Sequence, residues 1–310
     1  MNGRTTVGSL LRGAAETLRA SGSESARLDA ELLMGHVIRA ERTALLAAPE
    51  APVRSDHASA FAALVARRAK GEPVAYIRGL KEFYSLVLSV DPRALIPRPE
   101  TELLVEIGID RLRRLLTGHP RPEGSAPLVA WDVATGSGAV CVALAVESRK
   151  RGYGADVRFR ATDVSADALS LAIENAVAHG VAETIDFAVT DLADLAYVND
   201  QPGASPADLL LANLPYIPTE VVPTLPVAAS YEPVLALDGG TDGLGLVRRL
   251  IGQLEGAVRD GGVALLEIGA AQAEGVRAAS LDSLPGWDVA IHADDSGLAR
   301  VAELSRGLAQ

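Results

Sequence analysis

The sequence predicts an α/β protein: a mostly parallel, seven-stranded sheet whose last strand runs antiparallel, preceded by a small helical bundle and a β-hairpin connector. Three observations lead there. The first seventy residues carry helical periodicity and no β-branched alternation. From Leu128 onward, apolar runs alternate with helical stretches, the pattern of a parallel sheet covered on both faces. The final two strand-like runs follow each other with no helix between them, which requires one reversal of direction.

Val7 to Ala20 sets Leu10, Leu11, Ala14, Ala15 and Leu18 at helical spacing before Ser21 and Gly22 break it. Ser25 to Arg39 repeats the pattern with Leu28, Leu32, Leu33 and Val37. A short helix is expected over Thr43 to Ala48 and a fourth over Ser55 to Lys70. At Gly71-Glu72-Pro73 the texture changes. Between Tyr76 and Pro97, alternating runs at Glu82 to Val90 and Ala94 to Ile96, parted by Asp91 and Pro92, read as a hairpin. Glu100 to Leu116 returns to helix, and the polar stretch 117–126 reads as a loop. Strands follow at Leu128 to Val133, Val157 to Thr162, Ile185 to Val189, Ala207 to Ala212, Gly262 to Ile268, Trp287 to Ala293 and Ala299 to Leu304. Helices are expected from the glycine turn to about Glu147, and over Ala166 to His179, Leu244 to Arg259 and Ala270 to Ala279. The domains this implies are a bundle over 1–72, a connector over 73–98 and an α/β domain over 99–310.

Composition narrows the function. Apolar residues make up 48% of the 310, enough for a sizeable core. With 29 basic and 40 acidic side chains the formal charge is −11, which argues against bulk binding to nucleic acid or to an anionic membrane. A single cysteine, Cys141, excludes a disulfide framework and a cysteine-rich zinc site. The five histidines are scattered without metal-ligand spacing, so no metal is expected. No apolar run approaches the roughly 20 residues of a membrane helix, and the N-terminus lacks the pattern of a signal peptide. A cytoplasmic setting is the expectation.

Three constellations carry chemistry. After the first strand of the α/β domain come Asp132, Val133, Ala134, Thr135, Gly136, Ser137 and Gly138, small residues alternating where a ligand must approach the backbone at a helix start. Asp163, ending the next strand, suits the hydroxyls of a ribose; it equally suits capping of the following helix, a role Ser165 shares. Asp191 with Leu192, after the third strand, is either an adenine-side contact or a solvated loop. Asn213-Leu214-Pro215-Tyr216 follows the strand Ala207 to Ala212, apolar from Leu209 on, at the carboxyl end of the sheet, where such sheets bind ligands. A planar amide or exocyclic amine is a weak nucleophile. A site accepting both its N–H hydrogens, on the Asn213 oxygen and on the Leu214 or Pro215 carbonyl, can hold the nitrogen in line with an electrophile while Tyr216 stacks on the plane.

Asp132 to Gly138, Asp163 and Asn213 to Tyr216, in that order, resemble the class I S-adenosylmethionine methyltransferases with a Rossmann-like domain that act on planar nitrogens. Other segments are similar to the HemK/PrmC family: Ala26 to Leu33, Glu72 to Ile77 with Gly79, Ile96 to Glu102, Tyr231-Glu232-Pro233, Asp238-Gly239-Gly240 with Asp242-Gly243, and Leu265 to Gly269. The likeness spans nearly the whole chain. It implies methylation of the glutamine N5 in the Gly-Gly-Gln motif of class 1 peptide release factors, leaving S-adenosyl-L-homocysteine as product. It also implies that the bundle recognises the protein substrate. The Ala134 to Gly138 loop and Asp163 would bind the cofactor with Arg98 over it, Asn213 would touch both cofactor and glutamine amide, and Pro215 and Tyr216 would complete the amide pocket.

Three positions depart from the family pattern. Ala134 stands where glycine is usual, which costs on the order of 1 kcal/mol if φ is positive there. Leu214 replaces the first proline of Asn-Pro-Pro-Tyr, and Leu192 stands where a bulkier residue is often found. The alternatives are a divergent member acting on another amide or amine, an adenine N6-methyltransferase, and a non-catalytic relic.

Overall fold

The computed structural model describes residues 5–118, 124–194 and 205–307; of the loop expected over 117–126, residues 119–123 lie outside that set. The chain divides into two compact units, Met1–Leu80 with Leu225–Tyr231, and Lys81–Thr224 with Glu232–Gln310. No separate connector over 73–98 emerges as a unit of its own.

The first unit is helical. Helices α1 (Val7–Ala20), α2 (Ala26–Ile38), α3 (Arg42–Ala47) and α4 (Ser55–Ala69) follow the periodicity, and Thr6 with Ser9 closes a capping box on α1. Their apolar stripes meet in a core of Leu18, Leu33, Met34, Leu45 and Phe61. Two buried acids brace it: Asp29 accepts from Arg68 at 2.7 Å and from the Ser23 and Ser25 hydroxyls, and Glu31 pairs with Arg27 and Arg42. A fifth helix, α5 (Val74–Arg78), lies where alternating runs were expected to begin. Five residues are too few to display a period, but the flanking Pro73 and the left-handed Gly79 at φ 69° are its start and stop signals.

The hairpin is shorter than the alternation suggests. Strands β1 (Leu80–Phe83) and β2 (Leu86–Ser89) turn at Tyr84 and Ser85, whose φ values are 49° and 59°. That is the two-residue turn with both central φ positive, here built without glycine. The run Glu82 to Val90 is therefore two strands, and Ala94 to Ile96 is buried loop.

After a short 3₁₀ turn at Pro99–Thr101 and helix α6 (Glu102–Thr117), the large sheet begins. Its strands are β3 (Leu128–Val133), β4 (Val157–Asp163), β5 (Ile185–Val189), β6 (Ala207–Ala212), β7 (Val258–Glu267), β8 (Trp287–Ala293) and β9 (Ala299–Arg306), in the order β5-β4-β3-β6-β7-β9-β8. The first five run parallel, and β9 is antiparallel to both β7 and β8. Helices α7 (Ala139–Lys150), α8 (Ala166–Ala178), α9 (Gly245–Ile251), α10 (Leu254–Ala257) and α11 (Ala273–Ser283) complete the unit. Side chains of β6 alternate between the two core layers: Leu209 and Leu211 join Phe159, Leu104 and Leu144, while Leu210 and Ala212 join Trp131, Leu250 and Leu266. Burial on both faces is why Leu209 to Ala212 read as one apolar run; Asp208 before them is also buried, accepting the Val129 amide at 2.7 Å and pairing with Arg259 at 3.0 Å.

The helix expected over Leu244 to Arg259 is broken at Gly252 and Gln253, and Val258 already belongs to β7. Gln253 starts the second piece as its N-cap residue, and its side chain accepts the Ala193 amide at 3.0 Å. Chain order runs outward from β3 to β4 and β5, then returns to β6 on its other side. The resulting crevice lies beyond the carboxyl ends of β3, β4 and β6.

One side chain fixes the hairpin to this unit. Asn175 of α8 is 1% exposed; it accepts the Ser89 amide at 2.7 Å and donates to the carbonyls of Ser89 at 3.0 Å and Ser137 at 2.9 Å. Asn175→Ala should lower stability by about 2–4 kcal/mol in urea unfolding. Asn175→Asp, which loses both donors and turns a charge onto two carbonyls, should be at least as damaging. An unchanged midpoint in either would show that these bonds contribute nothing.

Candidate active site

The turn after β3 is held from inside by the two strand-end acids. Asp132 is buried, and its Oδ2 accepts the Thr135 hydroxyl at 2.6 Å and the Cys141 amide at 3.1 Å, tying the turn to the first turn of α7. Burial pushes its pKa up to about 7, the nearby Asp163 adds to this, and the two hydrogen bonds oppose it. Asp163 uses one oxygen for the Gly136 amide and the other for the Ser165 amide, both at 2.9 Å. Its pKa is raised by burial and drawn back by these backbone bonds. The helix cap itself is Ser165, whose hydroxyl accepts the Ala168 amide at 3.2 Å, so Asp163 remains with the loop and the crevice.

The loop backbone is left-handed at Ala134, Gly136 and Gly138, with φ of 57°, 57° and 79°. The alanine thus carries the strain that its position raised as a possibility. Gly138 has a second reason to be glycine: a Cβ there would stand 2.9 Å from that of Ala172.

Asn213 leaves β6 and donates from Nδ2 to the Thr101 hydroxyl oxygen at 3.0 Å. Behind the Asn-Leu-Pro-Tyr turn lies the Asp238 to Gly243 segment. A Cβ on Gly239 would sit 2.6 Å from the Pro215 oxygen, and one on Gly243 would sit 2.2 Å from the Tyr216 oxygen. Gln272 staples the assembly by donating to the carbonyls of Tyr216 and Gly243 while accepting the Gly269 amide at 2.8 Å. Burial pushes the Tyr216 hydroxyl up to about 12. Beside it Glu267 is also buried and pushed up to about 7, the hydroxyls of Thr101 and Tyr216 pulling the other way.

A cavity of about 380 Å³ opens between the loop and the Asn213 turn. Of the residues singled out from sequence, Arg98, Asp132, Ala134, Thr135, Gly136, Ser137, Asp163, Asp191, Leu192, Asn213, Leu214 and Pro215 line it; Gly138 and Tyr216 do not. Asp191 stands at its margin, its side chain 56% exposed and paired with Arg249 at 2.6 Å. Leu192 is left-handed at φ 56° and packs into the core. Arg98 is braced by the buried Glu232, which also accepts the Ile96 amide at 3.1 Å. Cys141 is buried in the core, and burial raises its pKa well above the ordinary value.

Thr101, Glu232, Glu267 and Gln272 belong to the site's frame and were not selected as site residues from sequence. For Thr101, Glu232 and Glu267 the signal was available only as motif membership, and Gln272 carried none, since a threonine in a short turn and a glutamate ending an apolar strand announce no chemistry by type or spacing. The whole offers a carboxylate, backbone N–H groups at a helix start and aliphatic walls, which suits a nucleoside bearing a charged tail. Among the described residues no helix is long and apolar enough to cross a membrane.

A raised carboxyl pKa leaves the folded protein holding a proton that the unfolded chain has lost. Stability then falls as pH climbs from the ordinary Asp value toward about 7, and levels above it. Between pH 5 and 8, urea unfolding of Asp132→Asn should show a smaller loss than the parent. The comparison isolates Asp132 from His36, whose lowered pKa acts in the opposite sense. Equal losses would mean that Asp132 is ionised in the fold at pH 5.

A family model for the PrmC N-terminal domain matches residues 9–79. Release factor glutamine methyltransferases of Moorella thermoacetica, Nitratidesulfovibrio vulgaris and Chlorobaculum tepidum are 38%, 34% and 40% identical to the chain over 273, 307 and 252 residues. These alignments cover 88%, 98% and 81% of the chain, and 88%, 97% and 81% of the respective relatives. Among solved structures, the human Mettl16 catalytic domain in complex with MAT2A 3'UTR hairpin 6 matches 78% of the chain and 81% of its own, with a TM-score of 0.52 at 14% identity. That likeness concerns the fold alone, which is the class I methyltransferase fold. The identity and coverage of the named relatives reach further: the chain belongs to the release factor glutamine methyltransferase family.

Proposed function

We propose that the protein methylates the side-chain amide nitrogen, N5, of the glutamine in the Gly-Gly-Gln motif of class 1 peptide release factors, with S-adenosylmethionine as donor. The observation that carries this reading is Asn213, pinned by Thr101 on the wall of the crevice, in a chain 34–40% identical to enzymes of that name. The residues fit the cofactor: Asp163 for the ribose hydroxyls, the Ala134 to Gly138 backbone for the charged tail, and Arg98 as cover. When bound it supplies an electrophilic methyl group.

The chain's own contribution is orientation. With Nδ2 committed to Thr101, Asn213 offers Oδ1 to one N–H of the glutamine amide. The Pro215 carbonyl is turned onto Gly239, which favours the Leu214 carbonyl as acceptor of the second. That use of Leu214 needs only its backbone, so replacing proline there is compatible with the chemistry. Tyr216 lies outside the cavity lining and acts as the end of this turn. The N-terminal unit, with its PrmC N-terminal domain match, serves as the recognition module for the release factor. The cytoplasm, where translation terminates, is the corresponding location. An adenine substrate is disfavoured by the net charge of −11.

Incubating a recombinant class 1 release factor with the protein and S-adenosylmethionine should add one methyl to the Gly-Gly-Gln glutamine in peptide mass spectrometry. Asn213→Ala should abolish most of that gain while calorimetric affinity for S-adenosylmethionine stays close to the parent's. Asp163→Ala should weaken that affinity at least tenfold. No methylation despite cofactor binding would redirect the reading to another amide, and no cofactor binding would end it.

A further inference from the structure

Glu267 is an acid where the fold asks for none. It ends β7, a strand otherwise apolar on both faces from Val263 to Leu266, and it is 2% exposed. The register Ala212 to Leu266 between β6 and β7 sets it abreast of Asn213, one residue beyond the last pair. Its Oε2 is buried without a hydrogen-bond partner. Approaching its carboxyl are the hydroxyls of Thr101 and Tyr216. Thr101, 4% exposed, already accepts the Asn213 amide.

A hydroxyl has one hydrogen and two lone pairs. If the Thr101 hydrogen is drawn to Glu267, only lone pairs face Asn213, and Asn213 can answer only with Nδ2. If that hydrogen is free, the hydroxyl can instead donate to Asn213 Oδ1, and the carboxamide turns over. The two states present opposite faces to the crevice: an acceptor in the first, a donor in the second. Only the acceptor complements the NH₂ of an amide substrate.

We infer that Glu267 is a positioning residue that sets the polarity of Asn213 through Thr101, so that the site selects a hydrogen-donating planar nitrogen. The inference rests on Asn213 as the acceptor of the substrate amide. It assigns Thr101 the role of a one-way link, donating to Glu267 and accepting from Asn213.

The test needs a readout that does not depend on the substrate being correct. The chain has four asparagines, Asn2, Asn175, Asn199 and Asn213. Asparagine-selective ¹⁵N labelling therefore gives a short list of side-chain amides, with Asn213→Ala assigning the one of interest. Thr101→Val and Glu267→Leu (or Glu267→Met, should the leucine variant fail to fold) are expected to speed exchange of the Asn213 amide protons at least tenfold. They should lower kcat for release-factor methylation by a similar factor, with affinity for S-adenosylmethionine unchanged. Thr101→Ser and Glu267→Gln, which keep a hydroxyl and an acceptor, should retain slow exchange and at least a third of the parent rate. A merely structural glutamate predicts the reverse: the apolar variants more stable, with exchange and rate unaltered. That result overturns the inference. Should the parent methylate no release factor, the reading of the substrate fails by itself, and the exchange data still judge the polarity of Asn213.

Discussion

Two parallel strands that end side by side are each followed by a turn, and a ligand crevice between them requires something to fix the two turns relative to each other. Here the Asp163 carboxylate does so, bonded at one oxygen to Gly136 of the neighbouring turn and at the other to Ser165 of its own. The Thr135 amide adds a backbone bond to the Thr162 carbonyl at 2.9 Å, so the loop after β3 is seated on the end of β4 at two points. Asp132 secures the other flank by binding Thr135 and Cys141. The cavity is thus a space between two anchored turns.

Buried acids recur around this space. Asp132, Asp163, Glu232 and Glu267 are each removed from water, and each is met by backbone amides, hydroxyls or an arginine. Apolar replacements would pack more cheaply, since a buried charge loses more hydration than its partners return. Their value lies in direction: a carboxylate tells neighbouring donors which way to face. The helical unit uses the same device with Asp29 and Glu31, but there Arg68 of α4 and Arg42 of α3 tie two neighbouring helices to α2, while Arg27 braces Glu31 from within it.

Much of this was legible beforehand because the relevant signals are local. The bounds of α1, β3, β5, β6 and β8 follow from capping residues, apolar runs and turn chemistry within each segment. The glycine turn, Asp163 and Asn213 announce themselves by standing at strand ends. What escaped is what depends on distant partners. The break at Gly252 and Gln253 goes with a bond from the Ala193 amide to the Gln253 side chain, sixty residues away in sequence. Thr101 and Glu267 acquire meaning only once β6, β7 and the turn before α6 meet. The turn at Tyr84 and Ser85 was hidden for a different reason, because no glycine or asparagine marks its positive φ values.

Gly239 and Gly243 contribute by what they lack. Each leaves a hollow into which the peptide groups of Pro215 and Tyr216 are pressed, with no room for a single carbon atom between. The site is therefore moulded as well as wired, and its tolerance to change is uneven in a way that a map of ligand contacts would not foretell. A methyl group added on the far side of the Asn-Leu-Pro-Tyr turn would push the reacting amide's seat forward into the crevice. Residues that never meet a ligand thus guard its position as strictly as those that do.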